Sequence, residues 1–268
     1  MILPRYASAY SGAGTLAGLH VGATAALWEF ARPSYLVGTS AGAIVAALIA
    51  LGKTPSDLKT IVLDADYGRL IPMNPLLAPF RGYLASNKPV IAWLRGLTED
   101  QTLGDCQIPL VCITSDLWTG KTATFSSKEH PDMPVWQAVL CSMSIPQVFP
   151  AYANQYEDGG LVNNLAVNLL PKTGRRIAFR VTETSRVGPV RGLIQRIERE
   201  ASMSLSASEN AMVMLAESLG IPVVNLPGGN LGFLNTAMTT AQKESLYQRG
   251  YEAVQQWLES PKGKEWLA

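Results

Sequence analysis

Histidine is the scarcest reactive side chain in this sequence: 268 residues hold only His20 and His130. Any chemistry that needs a histidine base or a cluster of imidazole ligands therefore has little to draw on. Cysteine is nearly as rare. Cys106, Cys112 and Cys141 are odd in number, and their spacing fits neither a zinc site nor a disulfide framework, so no metal and no cofactor is expected. They read as reduced, mostly buried thiols, which favours a cytoplasmic setting. Charge is thin, at 16% of residues against about 25% in an ordinary soluble domain. With 22 basic and 21 acidic groups the net is +1, so the balance carries no footprint for nucleic acid. No apolar run reaches the ~18 residues of a membrane span. The longest, Ala41 to Leu51, reads as a buried helix, and the N-terminus has no signal-peptide pattern. Membrane contact, if made, is expected to be peripheral.

What is present is apolar residues, 47% of the chain, arranged in alternating strand-like and helix-like stretches. Arg5–Tyr10 reads as a strand, a glycine turn follows, and Leu16–Phe30 has helical spacing, with Pro33 closing it. Tyr35–Val37 reads as a second strand, Gly38–Gly42 as a tight turn, and Ala43–Leu51 as an all-apolar helix. Strand–turn–helix used twice in succession predicts an α/β fold with a mainly parallel central sheet flanked by helices. Further strands are expected at Pro109–Thr114, Lys121–Ser126, Tyr152–Tyr156, Arg176–Val181 and Val223–Leu226. Helices are expected at Pro55–Ala65, Val135–Met143, Arg191–Leu219 and Thr240–Leu258, the last capped by Thr239 and Gln242. Residues 71–100 show no clean period. They read equally as a lid over a pocket or as an irregular packed connection. No linker divides the chain, so residues 1–268 are expected to form a single domain.

Three glycine motifs carry the chemistry. Gly38-Thr39-Ser40-Ala41-Gly42 is G-x-S-x-G between a strand and a helix. A nucleophilic serine needs such a sharp turn, and Gly38 and Gly42 remove the Cβ clashes that would forbid it. Gly12-Ala13-Gly14-Thr15-Leu16-Ala17 follows the first strand. It matches a dinucleotide fingerprint in part, but the second strand lacks the terminal acid that such a fold places on the ribose. It also lacks the Gly-Lys-Ser/Thr ending of a phosphate loop. If the first two strands are neighbours, Gly12, Ala13 and Gly14 lie beside Ser40 and offer their N–H groups as an oxyanion hole. The third motif is Asp158-Gly159-Gly160. With no plausible histidine partner for Ser40, Asp158 is the candidate base; Gly159 and Gly160 let its backbone approach the serine turn. His20 reads as a packed helix histidine and His130 as part of a polar turn.

In this order, the three motifs resemble those of the patatin-like phospholipase family. The stretch Ser142-Met143-Ser144-Ile145-Pro146-Gln147-Val148-Phe149-Pro150 is similar to the family's, as is the run from Tyr156 through Asp158-Gly159-Gly160 to Asn163-Asn164-Leu165-Ala166-Val167. The likeness covers roughly residues 5–170. It implies a patatin-like three-layer fold and a Ser–Asp dyad hydrolase that cleaves lipid or other acyl esters through an acyl-enzyme. Ser40 would be the nucleophile, Asp158 the base, and Gly12, Ala13 and Gly14 the hole, with the Ala41 N–H an extra donor. Leu16 stands where the family usually has a basic residue and Ala17 where it has a glycine, which points toward neutral esters or a weak enzyme. Met73, Leu76, Leu77, Phe80 and Trp93 are the candidate acyl-binding or interfacial residues. Two alternatives accompany this reading. One is a catalytically silent lipid-binding module, and the other an acyltransferase using the same dyad. An α/β-hydrolase is disfavoured because Ser40 comes so early and no histidine follows His130; a malonyl-type transferase is disfavoured by Ala41 after the serine. No oligomeric state is implied.

Overall fold

A computed structural model describes residues 3–76, 78–183 and 188–268. Its frame is a seven-stranded sheet: β1 (Arg5–Tyr10), β2 (Arg32–Thr39), β3 (Leu110–Asp116), β4 (Lys121–Ser126), β5 (Tyr156–Asp158), β6 (Arg175–Glu183) and β7 (Val223–Gly229). The order across the sheet is β4-β3-β2-β1-β6-β7, with β5 also paired to β3. The pairs β1–β2, β1–β6, β2–β3 and β6–β7 are parallel, and only β4 and β5 run antiparallel, both against β3. The predicted α/β architecture with a mainly parallel sheet is the one observed.

The strand pattern explains the layers. Central strand β1 is buried from Tyr6 to Tyr10, as a parallel strand covered on both faces must be. Tyr6 and Tyr10 go to one core, and Ala7 and Ala9 to the other. The first core is roofed by α1 (Gly18–Trp28), α2 (Ala41–Ala50), α3 (Pro55–Asp64), α4 (Tyr67–Leu70), α5 (Ala78–Arg81), α6 (Lys88–Thr98) and α7 (Val135–Met143). After the one-turn α8 (Gly160–Asn163), the opposite core is closed by residues 165–170 and the C-terminal half of α9 (Gly192–Ser218). Helices α10 (Thr240–Glu259) and α11 (Pro261–Leu267) return to the first face, α10 packing along α1. Helix α2 is apolar all round and almost wholly buried, the expected place for such a helix.

Three expectations need correction. Strand β2 starts at Arg32, not Tyr35. Pro33 lacks an N–H, but at that point β2 has β1 as its partner while β3 joins only from Leu36, and the register shifts there. The strand before Asp158 is Tyr156–Asp158, and Tyr152 contributes only an isolated bridge to Tyr156. Segment 71–100 contains an ordered helix, α6, with Val90, Leu94 and Thr98 turned inward one turn apart. Among the described residues no helix is long and apolar enough to cross a membrane.

Candidate active site

Sheet register brings the two candidate catalytic residues together. Strand β2 ends with Thr39 opposite Ile113 of β3. On the next residue of β3, Thr114, the partner is Asp158 at the end of β5. Strands β2 and β5 thus meet head-on beside β3, and the residue after Thr39 is Ser40. Its Oγ donates to Asp158 Oδ2 at 2.6 Å. The second carboxylate oxygen accepts the Gly160 N–H at 2.8 Å.

Ser40 sits at φ 53°, ψ −125°, a conformation that costs a non-glycine residue of order 1–3 kcal/mol. The surroundings hold it there. Its N–H donates to Ser142 Oγ at 2.9 Å, and Thr39 Oγ1 donates to the Asn163 carbonyl at 3.1 Å. Gly42 permits the turn to press on β1, since a Cβ there would lie 2.5 Å from the carbonyl oxygens of Tyr10 and Ser11. Gly38 precedes the turn in β2, and Gly159 and Gly160 carry the chain from β5 into α8. Helix α2 starts immediately after Ser40, so its N-terminal dipole faces the serine.

Asp158 is buried, and burial is the main reason its carboxyl is pushed up to about 6, against the lowering effects of the Ser40 and Gly160 bonds. A carboxyl near 6 is ionised at pH 7 and still basic enough to accept a hydroxyl proton. Its backbone is tied down as well: the N–H donates to the Ser144 carbonyl at 2.9 Å, and the carbonyl accepts from Ser115 Oγ at 2.7 Å.

The loop after β1 lies against Ser40. A Cβ built on Gly12 would come within 3.3 Å of Ser40 Cβ. Its three predicted donors are not equivalent. The Gly12 N–H already donates to Asn164, at 3.1 Å to Oδ1 and 3.3 Å to the backbone oxygen. The N–H groups of Ala13, Gly14 and Ala41 have no acceptor among the described residues. Ala13 has a negative φ of −146°, a sign that a side chain accepts. Gly14 has φ +53° and lies against the Phe233 carbonyl. Leu16, in the place of a basic residue, is fully buried in the core. His20 donates from Nε2 to the Ser11 carbonyl at 2.8 Å, and burial pushes its pKa down to about 4. It is thus a neutral brace of the same loop. His130 accepts a long bond from the Ser126 N–H and packs on Phe125.

Two recesses flank Ser40. One is apolar and runs between α2 and α3, lined by Ala41, Ile44, Val45 and Leu48 from α2 and by Leu58 and Ile61 from α3. Of the predicted acyl-binding residues only Trp93 lines it. Met73 packs partly buried elsewhere against the core, and Leu76 and Phe80 are 80% and 87% exposed. Leu77 lies outside the described residues. Beyond Phe80 a seam ties the segment to the body of the molecule: Leu84 and Ala85 donate to the carbonyls of Gln147 and Val148. The second recess is narrower and lies between the Gly12–Gly14 loop, Asp158 and Leu205 of α9. Sequence reasoning missed Glu209. Ser142 and Asn164 were each visible only as part of a motif, without a role.

A family model described as Patatin-like phospholipase matches residues 9–171. The chain is 27% identical over 185 residues to a putative patatin-like phospholipase domain-containing protein of Caenorhabditis elegans, a match covering 64% of this chain and 16% of that protein. It is 29% identical over 201 residues to the uncharacterized protein YqhO of Bacillus subtilis, covering 65% of this chain and 69% of that one. Among solved structures it is similar to VipD from Legionella pneumophila, with a TM-score of 0.63 at 15% identity, over 96% of this chain and 67% of the other. At that identity the likeness speaks for the fold alone. The chain spans only a small part of the length of the nematode relative.

Proposed function

The chain belongs to the patatin-like phospholipase family, and from that premise we propose that it is a serine acyl-ester hydrolase acting on lipids through a Ser40–Asp158 dyad. Membership supports lipid hydrolysis in general. The observation that carries the finer reading is the 2.6 Å bond from Ser40 Oγ to a buried carboxylate held near pKa 6.

Asp158 takes the Ser40 proton as Oγ attacks the ester carbonyl. The Ala13 and Gly14 N–H groups, with Ala41 at the start of α2, stabilise the oxyanion that forms. Asp158 returns the proton to the departing alcohol or lysolipid. Water, deprotonated by the same carboxylate, then releases the fatty acid from Ser40. The acyl chain lies in the apolar recess along α2, where burial contributes about 0.8 kcal/mol per methylene. The exposed Leu76 and Phe80 serve peripheral contact with a lipid surface. Residues 1–268 act as one unit, with 71–100 as cover: the sheet draws strands from both ends of the chain, and Trp93 of this segment lines the recess. Free thiols suit a reducing, cytoplasmic setting.

The test is hydrolysis of a p-nitrophenyl ester series, a phospholipid and its lysolipid by wild type, Ser40→Ala and Asp158→Asn. Both variants should lose at least about 1,000-fold in kcat; Ser40→Ala should keep the wild-type Tm to within a few degrees, and Asp158→Asn should fold with a Tm no lower than wild type. Activity that survives Ser40→Ala removes the dyad. An inactive wild type brings the silent lipid-binding reading forward.

A further inference from the structure

The Gly12 N–H is not free, and the partner that takes it is itself held by a buried ion pair. Asn164 Oδ1 accepts from Gly12, and its Nδ2 donates to Glu209 Oε1 at 3.2 Å. Glu209 lies on α9 with its side chain 7% exposed, and Arg180 of β6 donates from Nε to its other oxygen at 2.9 Å. Arg180 also reaches Asn210 Oδ1 at 3.1 Å. One residue earlier on α9, Ser208 Oγ donates to the Gly160 carbonyl at 2.7 Å and accepts the Asn164 N–H at 3.3 Å. The approach is close enough that a Cβ on Gly12 would sit 2.4 Å from Asn164 Oδ1.

Polarity runs one way along this chain. An ionised carboxylate only accepts, and a backbone N–H only donates. Burial raises the Glu209 carboxyl above its usual range, and the Arg180 bond works against that rise. As the carboxylate partner of Arg180, Glu209 sets which end of the Asn164 amide faces it, and the other end is the side-chain acceptor for Gly12. Reversing the amide would set a donor against the Gly12 N–H, leaving it only the longer bond to the Asn164 backbone oxygen, and two acceptors against each other at Glu209. The loop is thus pinned at Gly12, one residue before the free donors of Ala13 and Gly14.

We propose that Asn164, oriented by the Arg180–Glu209 pair, is the positioning residue of the oxyanion loop: by taking the Gly12 N–H it aims the next two N–H groups at the reacting carbonyl. This rests on the hydrolase reading above. The Asn164 side chain touches no reacting atom. Its effect should fall on kcat, because a misplacement of about 1 Å in such donors costs on the order of 100-fold, and it should leave KM little changed.

The experiment is a polarity swap at pH 8 on a short p-nitrophenyl ester. Asn164→Asp sets two carboxylates side by side and should lower kcat about 100-fold, with KM within about threefold. Adding Glu209→Gln restores a donor facing an acceptor, and the double variant should recover to within about fivefold of wild type. Amide hydrogen exchange at Gly12 should be faster in Asn164→Asp and slow again in the double variant. Glu209→Gln alone, which keeps the side chain's shape, should cost about tenfold in kcat and covers the case in which Asn164→Asp does not fold. A merely structural role would lower Tm, leave kcat of the folded fraction unchanged and show no rescue; that result overturns the proposal. Wild-type activity abolished by Ser40→Ala but unchanged in Asn164→Asp overturns the positioning role alone. An inactive wild type overturns the hydrolase reading and this one with it.

Discussion

The two sides of Ser40 are built by different physics. On one side α2 and α3 enclose a recess with apolar side chains, where contacts are many, non-directional and individually weak. On the other side a handful of directed bonds fixes the loop and Asp158: Ser40 to Asp158, Asp158 to Gly160, Gly12 to Asn164, and Asn164 to Glu209. An apolar wall tolerates changes of size and selects by volume. A polar wall tolerates almost none, because each group that loses its partner is left buried and unpaired. Substrate range should therefore be set on the α2 side and rate on the loop side.

The largest test of that division is pH. Burial holds the Asp158 carboxyl near 6 in the folded protein, against about 3.9 in an unfolded chain. Activity needs the ionised form, so kcat/KM should fall about tenfold per unit below pH 6, some 100-fold by pH 4. Stability should move the opposite way. The folded state holds this proton more tightly than the unfolded state, so the contribution of Asp158 becomes less favourable as pH rises from about 4 to 6, by about 3 kcal/mol in all. Urea midpoints of wild type and Asp158→Asn at pH 5 and 7.5 check the sign: the stability advantage of the variant should grow with pH. A rate profile flat from pH 7 to 4 would undo the assignment of the base.

Next in size is the apolar wall itself. Ile44→Trp fills the recess one turn below Ser40. It should cut kcat/KM for a dodecanoyl ester about 30-fold while an acetyl ester loses no more than about threefold. Equal losses on both esters would mean that the acyl chain lies elsewhere. The smallest effect is expected at the surface. Leu76→Ser with Phe80→Ser should leave soluble esters within about twofold of wild type and slow hydrolysis on phospholipid vesicles about fivefold. Matching losses would remove the interfacial role of these two side chains.

The same contrast explains what could be read from the sequence. The parallel sheet, α7 and the long α9 were legible because apolar periodicity is a local property. Helix α3 was legible because Thr54, Pro55 and Asp57 announce it: Thr54 and Asp57 bond each other's backbone N–H groups as a capping box. Helix α6 was not. Its Pro89 occupies the first turn, where proline is harmless, but the Asn87 side chain makes no capping bond, and a proline among prolines reads as a break. Helix α11 opens the same way at Pro261, past the expected end of the last helix. In the site, glycine spacing pointed to Ser40 and Asp158. The sequence pointed to the proline-rich segment for an acyl chain; the apolar recess beside Ser40 takes Trp93 from that segment and most of its lining from α2 and α3, and the uniform apolarity of α2 hides which face borders a cavity. Glu209 left no signal, since its partners Asn164 and Arg180 are 45 and 29 residues away in the chain and meet it only through the fold.

One contact at the edge of the loop wall bears on how the protein comes into being. Thr15 donates from its N–H and its hydroxyl to the carbonyl of Phe233, at 2.7 and 3.1 Å, and Gly14 lies against the same oxygen. Ser40 and Asp158 leave the ribosome long before that carbonyl exists. At about 5–20 residues per second, the 75 residues from Gly159 through Phe233 take several seconds to make. Throughout that interval a nascent chain carries both members of the proposed dyad without the oxygen that seats Gly14 and Thr15. If the proposed dyad needs this seat, hydrolysis should appear only once the chain is complete through Phe233, so order of synthesis would set when activity begins.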